Sequence, residues 1–138
     1  MNTQRYREQH QGILDVIETI NGKLNPELIL NNAREIRLLI SGLVGKLKFH
    51  LSIEDKVIYP ILLNHDDSNI ANTAKKFFNE MGDILDNLNL YDKKWSNEHK
   101  IKAEVNEFIH DTRQILKKLV VRTEIENKEL YNLVDELA

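Results

Sequence analysis

Five ionisable side chains stand where apolar ones belong. In the helical periodicity of this chain, His10, His50, Glu54, Arg122 and Glu126 lie on stripes otherwise built from Ile, Leu, Val and Tyr, with Thr112 a milder case. A charged group inside a bundle must be paired, neutralised or metal-bound, because burying it alone costs several kcal/mol. His50 and Glu54 are four residues apart, so they stack on one helix face within reach of a single ion. Imidazole and carboxylate on facing helices are the donors of bundle-core metal sites, and this N/O set suits iron, manganese or zinc. The same residues also permit a metal-free network. In that arrangement the Arg122 guanidinium pairs with Glu54 and Glu126, and His10 bonds to one of the two carboxylates.

The elements that must carry these residues follow from a rotation of about 100° per helical residue. A first helix is expected from Thr3 to Ile20, closed by Gly22, with His10 on the stripe of Tyr6, Ile13 and Ile17. Asn25-Pro26 opens a second helix that reaches Leu63, with room for a short opening turn before Asn31. Its stripe runs from Ile36 through His50 and Glu54 to Ile61, and Pro60 predicts a kink just beyond Glu54. After the turn cluster Asn64–Ser68, a third helix is expected from Ser68 to Leu90, extendable to Trp95, with Phe77, Phe78, Met81 and Leu88 inward. Ser96-Asn97 caps a fourth segment reaching nearly to Ala138, on which Phe108, Arg122, Glu126, Leu130 and Leu137 share a face. Counted from the third turn, Arg122 lies much farther along than Met81 lies before it, so this segment must overhang or break near its start. Short turns make neighbouring helices antiparallel, giving an all-α, up-down-up-down four-helix bundle in one domain, 1–138. His110 falls about 160° from Glu126 around its helix, His99 is off the stripe and His65 sits in a turn, so none is expected to be a ligand. Tyr91 and Trp95 are expected to cover one end of the bundle.

Composition bounds the chemistry. With no cysteine there is no disulfide, thiolate ligand or thiol nucleophile. The net charge of −3 is spread without a basic stripe, which argues against a nucleic-acid partner. No apolar run approaches the ~18–20 residues of a membrane span, and the polar start of the chain does not read as a signal peptide. A cytoplasmic protein is the expectation.

The run Lys46-Leu-Lys-Phe-His50-Leu-Ser-Ile-Glu54, ending in Ile58-Tyr59-Pro60, resembles the H-x-x-x-E-x-x-x-[LI]-[YF]-P signature of the hemerythrin-like cation-binding domains. His10, after Arg7 and Glu8, is similar to that family's first-helix histidine. Arg122-x-x-x-Glu126 followed by Leu130-Tyr131 resembles its second H-x-x-x-E with the histidine replaced, and Met81 stands where a third-helix histidine is usual. In both halves a Tyr follows the acid by five residues, a weak internal repeat. The resemblance implies a non-haem iron site, mono- or dinuclear, held by His10, His50, Glu54 and Glu126. Met81 and Arg122 are the substituted positions, Arg122 serving as a charge beside the metal. The implied role is binding or sensing dioxygen, nitric oxide or iron rather than enzymatic turnover. A thioether is a poor ligand for hard iron and a guanidinium cannot coordinate, so the retained set is partial. The alternative reading is a metal-free bundle with an Arg–Glu–His core that acts through an unidentified protein partner.

Overall fold

The computed structural model describes residues 2–137. Every element in that range is helical: α1 Gln4–Asn21, α2 Pro26–Leu63, α3 Ser68–Lys94, α4 Glu98–Ala103, α5 Val105–Ile125, a π-helical turn Glu126–Leu130 and α6 Tyr131–Glu136. No strand occurs among the described residues, and no helix there is long and apolar enough to cross a membrane.

The helix starts follow their capping residues. Asn25 Oδ1 accepts from Leu28 N–H at 2.9 Å, and Pro26 occupies the first turn of α2, where a missing N–H costs nothing. Asp67 caps α3 by accepting from Asn69 N–H at 2.9 Å, and Asn97 caps α4 in the same way by accepting from His99 N–H at 2.8 Å. Gly22 ends α1 without a left-handed residue; its φ is −66° and its N–H bonds back to Glu18 O at 3.0 Å.

The expected break near the start of the fourth segment falls at Glu104 (φ −130°, ψ 53°), between α4 and α5. The expected kink at Pro60 is corrected: the backbone of α2 leaves helical angles at Asn32 (φ −133°, ψ 26°) and not at Pro60. Pro60 sits in the last turn of α2, so its missing N–H removes a single rung close to an end that is already open. Three residues assigned to apolar stripes, Ile61, Phe78 and Leu137, are in fact exposed. Phe78 follows the buried Phe77 and is turned about 100° away from it, where it packs edge-on against Tyr59 with ring centroids 5.3 Å apart.

Helix α2 is the spine, packing against α1, α3, α4 and α5, while α3 and α1 also contact α5. The apolar core is divided in two. The larger cluster runs from Ile13, Leu47 and Met81 to Trp95 and Phe108; the smaller holds Tyr6, Ile58, Phe77, Leu130 and Tyr131. Trp95 is fully buried at the far end, donating Nε1–H to Asp111 at 3.0 Å. The buried Thr112 hydroxyl is matched by Tyr91 Oη at 2.6 Å. Along α1, α2 and the α5–π segment, His10, His50, Glu54 and Glu126 fall between residues of the two clusters. The polar layer is therefore walled by hydrocarbon above and below.

Candidate metal centre

His10 comes from α1, His50 and Glu54 from α2, and Glu126 opens the π-helical turn. All four are buried, with 2%, 1%, 0% and 3% of their surface exposed. Each offers one donor atom, and these four atoms lie within 4.8 Å of one another. Protein ligands sit about 2.0–2.4 Å from a bound divalent ion, so opposite donors are about 4.0–4.8 Å apart. The spacing of the four donor atoms matches that of ligands around one ion.

Both imidazoles are held from outside by amide oxygens. His50 Nδ1 meets Gln9 Oε1 at 2.6 Å and His10 Nδ1 meets Asn127 Oδ1 at 2.8 Å. An amide oxygen can only accept, so as placed each Nδ1 carries the proton and each Nε2 turns a lone pair inward. Such outer partners orient metal-binding histidines and raise their basicity. Neither Gln9 nor Asn127 is singled out by the sequence.

Tyr131 was missed as well. Its hydroxyl lies 2.9 Å from His50 Nε2, 3.0 Å from His10 Nε2 and 3.1 Å from Glu54 Oε1, in the middle of the layer. The local backbone explains how it gets there. In an α-helix, five residues turn about 140°, which would aim Tyr131 well away from Glu126. Here Tyr131 N–H bonds to Glu126 O, an i→i+5 link that puts the two residues on one face. The spacing of five was visible in the sequence; the π turn that gives it meaning was not.

Burial and the neighbouring Glu126 push the Glu54 carboxyl up to about 9, against the lowering effects of His10, the Tyr131 hydroxyl and Arg122. Burial, then His10, lowers His50 to about 4, with Glu126 opposing. At neutral pH the close contact between His50 Nε2 and Glu54 Oε1 is therefore a hydrogen bond between a neutral ring and a neutral acid, not an ion pair. Tyr131 is also raised, first by burial and then by both carboxylates, so its phenol is protonated when the layer holds no cation. Glu126 Oε1 lies 3.3 Å from His10 Nε2. Lone pairs outnumber protons here: Glu54 Oε2 and Glu126 Oε2 have no hydrogen-bond partner although both are buried. Unmet acceptors in a buried core are costly, and a cation would satisfy them, so the residues present fit a metal ion.

The substituted positions behave differently from each other. Met81 packs in the larger apolar cluster and takes no part in the polar layer. Arg122 is 4% exposed but does not sit between the two carboxylates, as the metal-free reading required. It donates to Phe77 O at 2.7 Å and Glu80 Oε2 at 3.2 Å, and its guanidinium lies 4.7 Å from the centre of the Phe77 ring. Its Nε stands 3.9 Å from Glu126 Oε2, too long for a hydrogen bond, and it makes none to Glu54. Arg122 is drawn toward α3 because the Phe77 carbonyl and the Glu80 carboxylate offer it better acceptors there. His99 and His110 are exposed and His65 caps its own turn by accepting from Asp67 N–H at 3.0 Å, so none approaches the layer.

Compared with known proteins, the chain matches a family model described as the hemerythrin HHE cation binding domain over residues 1–134. No curated protein and no solved structure matches it.

Proposed function

The chain belongs to the hemerythrin HHE cation-binding family, and on that premise we propose that His10, His50, Glu54 and Glu126 hold one non-haem metal ion, iron, in a single up-down-up-down four-helix domain. The observation that carries this reading is a buried cluster of four donor atoms within 4.8 Å of one another, beside which Glu54 Oε2 and Glu126 Oε2 lack a hydrogen-bond partner. When bound, iron supplies a Lewis-acid and redox-active centre to which a small diatomic molecule such as dioxygen or nitric oxide can attach. The protein residues supply the rest. Gln9 and Asn127 hold the imidazoles with Nε2 inward, the two carboxylates provide hard anionic oxygens, and the apolar clusters exclude water. Arg122 remains a fixed positive charge on the α3 side of Glu126 and coordinates nothing. We read the domain as a binding or sensing module for oxygen, nitric oxide or iron rather than an enzyme.

Elemental analysis of protein purified without chelator, beside His50→Ala, tests the reading. Metal in the wild type and at least a tenfold loss of affinity in the variant is the expected outcome. A wild type that holds no metal and does not respond to the substitution would overturn it. A metal-free interaction module is then the reading left, and the Tyr131 hydroxyl is what favours it, since it lies within hydrogen-bonding distance of His10, His50 and Glu54.

A further inference from the structure

We propose that Tyr131 is a fifth ligand, binding the ion through its phenolate oxygen; this rests on the reading of the His/Glu layer as a metal site. Two donors at right angles, each about 2.1 Å from an ion, lie about 3.0 Å apart. The Tyr131 oxygen stands 2.9, 3.0 and 3.1 Å from three of the other donors, the spacing of one ligand from its neighbours. As a mere hydrogen-bond donor it is poorly employed. A phenol has one proton, yet three acceptor atoms converge on its oxygen, and at most one can receive that proton.

The backbone is arranged around this contact. The π turn at Glu126–Leu130 is the one departure from α geometry within the stretch from Val105 to Glu136, and it places Glu126 and Tyr131 on the same face. π turns of this kind cost regular hydrogen bonding and recur at functional sites. Tyr131 is fully buried, with Tyr6 and Arg7 packed against its ring, so its oxygen has no route to another partner.

Ligation by Tyr131 also changes which ion is preferred. Metal entry displaces the phenol proton and the Glu54 proton to solvent. Two carboxylates and a phenolate then carry three negative charges beside two neutral imidazoles. Arg122, which meets the half-exposed Glu80 at 3.2 Å, also stands 3.9 Å from the buried Glu126 Oε2 and offsets part of this charge. Two carboxylates and a phenolate are hard anionic donors, which direct the site toward ferric iron.

The test is spectroscopic. Chelator-stripped protein is loaded with ferrous iron under inert gas, oxidised with ferricyanide and desalted, then assayed for iron per chain, visible absorption and resonance Raman scattering. The wild type should retain iron and show a phenolate-to-iron charge-transfer band with enhanced tyrosine ring modes. Tyr131→Phe should retain iron but lose the band and the modes, whereas Tyr59→Phe should keep both. Iron bound without a phenolate signature, or a signature that survives Tyr131→Phe, overturns the Tyr131 assignment and leaves the four-residue site standing. Failure of the wild type to retain iron overturns both.

Discussion

Replacing Glu54 by glutamine should raise the stability of the metal-stripped protein at neutral pH, although it removes a buried residue's native chemistry. The unfolded chain releases the Glu54 proton at the ordinary 4.5, whereas the folded protein holds it up to about 9. Between those values the folded state carries a proton that the unfolded state has lost. The stabilisation is therefore complete below about pH 4.5 and drains away as pH rises toward 9. At pH 7, about 2.5 pH units above the unfolded value, the deficit is about 3 kcal/mol. Glutamine has no proton to lose. Its amide N–H groups can donate to His50 Nε2 and to the Tyr131 oxygen, the two atoms that meet Glu54 Oε1, and this frees the Tyr131 proton for His10. His50, lowered to about 4, imposes the opposite slope below its ordinary 6.5, but it is present in both proteins and largely cancels from the difference. Urea unfolding of stripped wild type and Glu54→Gln at pH 5 and pH 7, with equal m-values as the check on two-state behaviour, measures the effect. The variant should be within about 1 kcal/mol of wild type at pH 5 and more stable by about 2–3 kcal/mol at pH 7. Added iron should stabilise the wild type and leave the variant unmoved, because a neutral amide replaces an anionic ligand. A variant less stable at pH 7, or a difference that does not change with pH, would refute the argument: Glu54 would then be ionised in the folded core.

Two further substitutions probe the surroundings. Arg122→Ala removes the donor to Phe77 O and Glu80 and leaves Glu126 facing an empty space, so it should cost on the order of 2–4 kcal/mol in stripped protein. It should leave iron per chain unchanged, and a loss of iron would assign the guanidinium a direct part in retention. Asn25→Ala deletes the cap that receives Leu28 N–H and should lower stability by about 1 kcal/mol, read as a shift in the urea midpoint with metal binding intact.

Much of this site is legible in the sequence. A helix converts sequence spacing into angular position, so a histidine or glutamate on an apolar stripe announces its own burial. His10, His50, Glu54 and Glu126 were each legible in that way, and all are buried. The capped start at Asn25-Pro26 and the break near the head of the fourth segment followed from equally local chemistry and from counting residues between turns. Stripes mislead at their edges, as at Ile61, Phe78 and Leu137, because a residue about 100° off the core axis is buried only if a neighbour covers it.

What remained for the tertiary structure was the relation between side chains on different helices. Angular reasoning assumes α geometry, so the π turn hid Tyr131, whose spacing from Glu126 is meaningful only with an i→i+5 bond. Gln9 and Asn127 carry no spacing signature, since any polar residue flanking a stripe would read alike until an imidazole is seen against it. Pairing Arg122 with the carboxylates was reasonable from charge alone. Its actual partners were decided by distance, because a guanidinium turns to the nearest well-placed oxygens, here on α3. The sequence by itself determined which face of each helix is turned inward, since periodicity is a property of one helix. Which atoms on those faces meet, and where each proton resides, depended on helices packed side by side, and only the folded molecule supplies that.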